Sequence, residues 1–361
     1  MLSRRFGIND EPNELAQLRT KLLAKGVSIT DLTDTNPTTH GFLLPQVAEV
    51  LATTQVTEYT PDPKGLPSAR AALAARFGGT PDDYWLTAST SEAYSWLFAL
   101  LTDPGDTVAV PVPGYPLFGP LAQLAGINLV GYPAHYLAPD GWVIDTAALR
   151  VVTRGAKAVI AVNPNNPTGA YLTPAALAAL VELEKPLIID EVFQAFDFRA
   201  APEPLPEVAN SFTLNGLSKL LCAPHLKLGW IKASPDVSLD ARECLDLIAD
   251  TYLSVNQQVA AALPQLLDLA DESVKEAKVK LQANLAAWQK LFPGRVRVVE
   301  GGWMALIDLD AGAAGAGEPA VELLAKHHFY AHPGWFYDID DEVLAVSLLA
   351  APPAGFEPAT V

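Results

Sequence analysis

Short apolar or β-branched runs alternate with helical segments through the middle of the chain. The strand-type runs are Thr107–Val112, Ile127–Gly131, Ala158–Val162, Leu187–Asp190, Ser211–Leu214 and Leu228–Lys232. Between most of them lie helical segments such as Ser91–Leu101, Pro116–Leu124 and Pro174–Glu184. This alternation predicts an α/β fold with a mainly parallel sheet between helices.

The pattern changes after Pro235. Residues 236–291 predict long helices with a break near Tyr252–Asn256. The short strands predicted after them are Val296–Glu300, Met304–Leu309, Phe329–His332 and Val343–Leu349. We therefore expect a large domain over residues 31–235 and a smaller α+β domain made of residues 1–30 and 236–361.

Composition limits the kinds of partner. The 361 residues carry 41 acidic and 24 basic side chains, a formal net charge of −17, which argues against nucleic acid or an anionic membrane surface. Two cysteines, Cys222 and Cys244, favour a reducing compartment over a disulfide framework. The first ten residues lack the apolar core of a signal peptide, and no apolar run approaches the roughly 18 residues that span a bilayer. We expect a cytoplasmic protein that binds neither nucleic acid nor membrane.

Polar side chains lie at the ends of several predicted strands. Asn163, Asp190 and Asn215 are the residues at or just after three of these ends. In open α/β sheets the ligand crevice lies beyond the carboxyl ends of the strands. We therefore expect these side chains to lie near one another in a ligand site.

Two segments contain groups that suit a phosphate or an amide contact. Ser89, Thr90 and Ser91 precede an apolar helix, where they either cap the helix or bind an anion with its exposed N–H groups. The string VNPNNPTG follows a strand, and its proline steps force a turn that places Asn166 at the strand's end.

Two further segments contain a carboxylate and an aromatic ring. LIIDEVF ends in Asp190, which either caps a helix or holds a ring nitrogen in its protonated form. PVPGYPLF places Tyr115 after a strand and a turn, where an aromatic side chain belongs to the core or stacks on a planar cofactor.

Lys219 is the most unusual charged residue of the chain. Its neighbours in SFTLNGLSKLLCAPHLKLGW include Leu217, Leu220 and Cys222. An amine that loses hydration there has a lowered pKa and becomes nucleophilic, although most lysines in such settings extend to solvent. A phosphate cradle, an aromatic plate, an amide, a carboxylate and a lysine together suit pyridoxal 5′-phosphate.

The strings NNPTG, IIDEVF and GLSKLLCAPHLKLGW, in this order, resemble those of the class I/II aminotransferases, fold-type I of the pyridoxal phosphate enzymes. The resemblance implies a sheet of the seven-stranded type and a homodimer. It implies that Lys219 forms the Schiff base and later acts as general base. The resemblance also implies that Asp190 binds the pyridine nitrogen, that Asn166 binds the ring hydroxyl and that Tyr115 stacks on the ring face. It implies a phosphate site made of Ser89, Thr90, Ser91, Lys227 and, from the partner subunit, Tyr59.

Three positions depart from the common pattern of that family. Phe193 stands where a tyrosine usually meets the ring hydroxyl, and Lys227 replaces a phosphate-binding arginine. Ala345 stands where an arginine usually binds the substrate carboxylate. The groups that could replace that arginine are Arg4, Arg5, Arg199, His332 or backbone amides.

The resemblance implies a transaminase that exchanges an amino group between an amino acid and a 2-oxo acid. A β-eliminating carbon–sulfur lyase of the same fold is an alternative, because it uses the same cofactor. A non-catalytic relative that only binds the cofactor is a second alternative, motivated by the missing arginine at Ala345.

Overall fold

A computed structural model describes residues 12–203, 205–253, 255–309 and 318–357 of the chain. Strands β1–β13 are Thr30–Asp31, Tyr84–Thr87, Thr107–Val112, Asn128–Leu137, Gly141–Ile144, Ala158–Val162, Leu187–Asp190, Ser211–Gly216, Gly229–Ala233, Met304–Asp308, Phe329–Tyr330, His332–Pro333 and Val343–Ser347. Helices α1–α12 are Glu14–Ala24, Gln46–Thr53, Pro67–Phe77, Thr90–Leu101, Phe118–Ala125, Thr146–Val152, Pro174–Val181, Leu217–Leu220, Leu239–Tyr252, Gln257–Asp268, Ala270–Leu291 and Pro319–His327.

An eight-stranded sheet forms the centre of the molecule, with strand order β2-β9-β8-β7-β6-β3-β4-β5. The strands from β8 to β4 pair in parallel, while β9, β2 and β5 are antiparallel to their neighbours. The predicted α/β fold is confirmed. The sheet has one strand more than the seven expected, and its two edge strands, β2 and β5, were not predicted from the sequence pattern.

Helices cover both faces of this sheet because the side chains that project from each face are mainly apolar. Ile188 and Phe212 pack against α4, α5 and α9 on one face. Val159 and Ile189 pack against α6 and α7 on the other. Strands that are buried on both faces are rich in apolar residues throughout, as β6 and β7 are.

A second, smaller sheet has the order β10-β13-β12. Its core side chains pack with α1, α11 and α12. The strand predicted at Val296–Glu300 is wrong, because only Val296 bridges to Ile307 and the Val298 N–H donates to the Tyr136 hydroxyl instead. The predicted division into residues 31–235 and the two flanking segments stays a prediction. None of the helices in the described ranges is long and apolar enough to cross a membrane.

Candidate active site

The ends of three parallel strands bring the predicted polar residues to one edge of the sheet. Val162 of β6 is in register with Asp190 of β7, and Asp190 is in register with Leu214 of β8. The Asn163 N–H donates to the Asp190 carbonyl at 2.8 Å. Asn163, Asp190 and Asn215 therefore lie at neighbouring strand ends. The expectation that the three side chains share one site is wrong, because Asn215 lines a cavity on the face of the sheet opposite to the Tyr94 contact of Asp190.

Asp190 is a buried carboxylate with two protein donors. The Tyr94 hydroxyl donates to its Oδ2 at 2.9 Å, and the Val192 N–H donates to its Oδ1 at 3.0 Å. Burial raises the pKa of Asp190 to about 6, and these two donors and nearby Lys219 only partly oppose that rise. A cationic nitrogen beside this carboxyl group would stabilise its ionised form.

Lys219 lies on α8, the single helical turn that follows β8. Leu217 and Leu220 of this turn are buried, so the backbone is anchored by its apolar neighbours. The Lys219 Nζ lies 4.7 Å from the centre of the Trp303 ring and 5.3 Å from that of Phe193. Burial lowers the pKa of Lys219 to about 8, although nearby Cys222 and Asp190 act in the opposite direction.

The predicted anion cradle lies at the start of α4. The Ser89 Oγ accepts the Glu92 N–H at 3.2 Å and so caps the helix. Strand β9 passes close by, since a Cβ on Gly229 would lie 3.2 Å from the Thr87 Oγ1 and 3.3 Å from the Ser89 carbonyl carbon. In the described residues, the hydroxyls of Thr90 and Ser91 make no hydrogen bond.

Asn166 and Tyr115 lie on two loops that are tied together. The Asn165 Nδ2 donates to the Pro113 carbonyl at 3.2 Å and so links these loops. The Asn166 Oδ1 is buried and has no hydrogen-bond partner among the described residues. The Tyr115 ring packs edge-on against Phe118, and its pKa is raised by burial and by nearby Asp190.

Lys227 and Tyr59 both point to solvent. Lys227 has a left-handed backbone with φ of 50° and forms no ion pair with any described residue. The side chain of Tyr59 is 63% exposed. Both side chains are therefore accessible to a ligand or a second subunit, and their predicted roles stay predictions.

Comparisons with known proteins identify the family. A sequence profile described as aminotransferase class I and II matches residues 29–309. Over 297 residues the chain is 32% identical to an alanine aminotransferase from Mycobacterium bovis, which covers 75% of this chain and 68% of that protein. The chain belongs to the class I and II aminotransferases.

This aminotransferase has further relatives. It is 31% identical over 269 residues to the glutamate-pyruvate aminotransferase AlaA of Haemophilus influenzae, covering 68% of this chain and 65% of that protein. An alanine aminotransferase from Pyrococcus furiosus superposes with a TM-score of 0.87 at 25% identity, covering 100% of this chain and 98% of the other. The predicted fold-type I architecture is confirmed, and these relatives give the lyase alternative no support.

The aminotransferase has no arginine at position 345. Ala345 of β13 is fully buried beside Leu306, Met304 and Tyr337, and it is in register with His332 of β12. The His332 Nδ1 lies 3.0 Å from the Tyr337 hydroxyl. Burial lowers the pKa of His332 to about 4, so the imidazole is neutral at pH 7.

The other groups considered for the carboxylate differ in their availability. The Arg199 Nη2 binds the Asp197 Oδ2 at 2.6 Å, and its guanidinium stacks on Tyr171 at 3.9 Å. Arg199 is therefore already engaged by two partners. Arg4 and Arg5 lie outside the described residues.

Sequence reasoning missed Tyr94. It lies inside α4, one turn after Thr90, where an aromatic residue in an apolar helix indicates only core packing. Its partner Asp190 is 96 positions later in the chain. No local pattern could have indicated this contact.

Proposed function

We propose that the protein is a pyridoxal phosphate-dependent aminotransferase that exchanges an amino group between an amino acid and a 2-oxo acid, with Lys219 as the residue that binds the cofactor covalently. The observation that carries the proposal is the buried amine of Lys219, with a pKa of about 8, at the same sheet edge as Asp190. A lysine of this kind has a substantial neutral, nucleophilic fraction near neutral pH.

The residues present fit this cofactor. The buried, unpartnered Asn166 Oδ1 marks an amide that needs a polar ligand group. We propose that Asn166 binds the ring hydroxyl, that Tyr115 stacks on the ring, and that Asp190 binds the pyridine nitrogen. The Ser89, Thr90 and Ser91 cradle with Lys227 would hold the phosphate.

When bound, pyridoxal phosphate supplies an electron sink for the carbanion at the substrate Cα. Asp190 would stabilise positive charge on the ring nitrogen, and the Tyr94 hydroxyl orients this carboxylate. Lys219, as a free amine, would take the proton from the substrate Cα onto its Nζ and donate it to the cofactor carbon that carries the amino group. The rings of Trp303 and Phe193 keep water away from the amine while it carries the proton.

We propose an amino acid and a 2-oxo acid as the substrates because the relatives are named alanine and glutamate-pyruvate aminotransferases. The uncharged surroundings of Ala345 support a way of holding the substrate that differs from an arginine clamp at this position. Backbone amides, or a group outside the described residues, are compatible with such a site.

We further propose a cytoplasmic homodimer in which Tyr59 of each chain reaches the phosphate of its partner. The exposure of Tyr59 supports this role, because the side chain is free to leave its own chain's surface. We expect small-molecule substrates and the partner subunit as the ligands of this protein. The net charge of −17 supports this expectation, because nucleic acid and anionic membranes would be repelled.

The variant Lys219→Ala tests the proposal. We expect the chain to lose the visible absorption of bound cofactor and to lose transamination of alanine with 2-oxoglutarate by at least about a thousandfold. Lys326→Ala is the control, because its exposed ammonium group pairs with Glu322 of the same surface helix. An unchanged spectrum in Lys219→Ala would refute the covalent role of this lysine.

A further inference from the structure

A cavity of about 520 Å³ lies on the face of the large sheet opposite to Asp190. Strands β7, β8 and β9 form its floor, and Phe77, Gly78 and Gly79 at the end of α3 form part of its wall. Glu191 lines this cavity, whereas the preceding residue Asp190 contacts Tyr94 on the other face. The cavity is therefore separated from the proposed cofactor site by the sheet itself.

The floor of the cavity is unusually polar for the middle of a sheet. β8 has neighbours on both sides, yet its cavity face carries Ser211, Thr213 and Asn215. The other face of the same strand carries Phe212 and Leu214, which are fully buried under α4. Central strands of mainly parallel sheets are normally apolar on both faces, so core packing does not explain the polar face.

Charged side chains of both signs line the cavity, namely Glu191, Glu207 and Lys232. Lys232 of β9 donates from Nζ to the Phe77 carbonyl at 2.8 Å, which leaves two of its ammonium protons free. Burial and nearby Asp190 raise the pKa of Glu191 to about 7, while the Asn163 side chain and Lys232 partly oppose that rise. Neither Glu191 nor Lys232 forms an ion pair with any described residue.

The placement of Glu191 and Lys232 suits a ligand that carries both a positive and a negative charge. β7 and β9 lie on either side of β8, so their backbones are about 10 Å apart. Thr213 is in register with Lys232 and with Ile189, two residues before Glu191, and its hydroxyl makes no hydrogen bond among the described residues. A polar surface thus connects the carboxyl group to the ammonium group.

We propose that this cavity binds a free amino acid, whose ammonium group contacts Glu191 and whose carboxylate contacts Lys232. Charge-assisted hydrogen bonds at both ends would recognise the zwitterion, and Thr213 and Asn215 would contact its polar groups. The volume is within the range of small-molecule sites, about 300–1,000 Å³. This second site does not depend on the proposed function, because it lies on the face of the sheet opposite to the Asp190–Tyr94 contact.

Isothermal titration calorimetry tests the proposal. The chain is first loaded with cofactor and reduced with borohydride, which fixes the cofactor on Lys219. The probes are alanine and glutamate. We expect saturable binding that Glu191→Gln and Lys232→Met each weaken about tenfold or more. Lys185→Met and Glu182→Gln are matched controls outside the cavity and should leave binding unchanged.

Binding that persists at full strength in both cavity variants would overturn the proposal. A second measurement needs no variant: crystals of the unmodified chain are soaked with selenomethionine, and the selenium atom is located by anomalous scattering. A selenium peak in the cavity between β7 and β9 supports the site. The absence of a peak there at a saturating selenomethionine concentration overturns the proposal. Both measurements can also be made on a chain that carries no cofactor. The cavity can therefore be tested even if Lys219 proves not to bind pyridoxal phosphate.

Discussion

Tyr94 donates a hydrogen bond from its hydroxyl to the Oδ2 of Asp190 at 2.9 Å, from a helix to the end of a strand. The pKa of Asp190 is about 6, and this hydrogen bond is one of the influences that keep it from rising further. The ionisation of the carboxyl group near neutral pH therefore depends on a residue that no sequence motif indicates.

Replacing Tyr94 with phenylalanine should raise the pKa of Asp190 above about 6, because the carboxylate loses a donor. We expect pyridoxal phosphate affinity at pH 7 to fall about tenfold, the effect of one hydrogen bond to a charged group. The loss should be smaller at pH 8.5, where the carboxyl group is ionised again. Equilibrium dialysis at both pH values measures this. Tyr132→Phe is the control, because that hydroxyl donates to the Ile160 carbonyl, and equal losses in both variants would contradict the assignment.

The lowered pKa of Lys219 predicts a pH dependence of cofactor loading. Below its pKa of about 8 the side chain is mainly an ammonium group, and above it mainly a nucleophilic amine. The rate at which the cofactor-free chain gains visible absorption should therefore rise from pH 6.5 to about 8.5 and then level off. Stopped-flow spectra across this range provide the measurement. A rate that is still rising tenfold per pH unit above pH 9 would show that the amine has an ordinary pKa.

Introducing a hydroxyl at position 193 should change the titration of bound cofactor. The Phe193 ring lies 5.3 Å from the Lys219 Nζ, so a tyrosine there would direct its hydroxyl toward the same ligand region. By stabilising the ionised ring oxygen, Phe193→Tyr should move the pH midpoint of the visible spectrum down by about one unit. Phe336→Tyr, beside His332, is the control. A midpoint that stays in place would separate Phe193 from the ring oxygen.

Restoring the arginine at position 345 should damage the fold and not improve activity. Ala345 is fully buried in an apolar cluster with Leu306 and Tyr337. A guanidinium there lacks both space and a counter-charge, so we expect Ala345→Arg to lower the free energy of unfolding by about 3–5 kcal/mol. Urea denaturation gives the value, with Ala350→Arg at an exposed position as control. A stable variant with higher activity would show that the site accommodates an arginine clamp.

The central strands were predictable because burial on both faces leaves a continuous apolar run. β3, β6 and β7 have the bounds that the pattern predicts. Val296–Glu300 is also rich in β-branched residues, but it does not form a strand. Its backbone groups have other partners, since the Val298 N–H donates to the Tyr136 hydroxyl. β5 has only four residues, Gly141–Ile144, too few for alternation to be recognised.

The candidate site could be proposed from the sequence where its residues lie in a local string. Lys219, Asp190 and Asn166 each belong to a distinctive run of residues, and the structure places the first two at one sheet edge. The neutral state of His332 was not predictable, because it arises from burial by residues distant in sequence. The polar face of β8 was equally hidden, since Ser211 and Thr213 alternate with apolar residues as in any half-exposed strand.

The closeness of Lys219 to Trp303 has an optical consequence. With the amine nitrogen 4.7 Å from the indole centre, any chromophore attached to that nitrogen lies within energy-transfer range of the indole. Occupancy of the lysine should therefore quench the emission of Trp303, even when no reaction takes place. The fluorescence difference between the chain and its Trp303→Phe variant then counts loaded lysines directly.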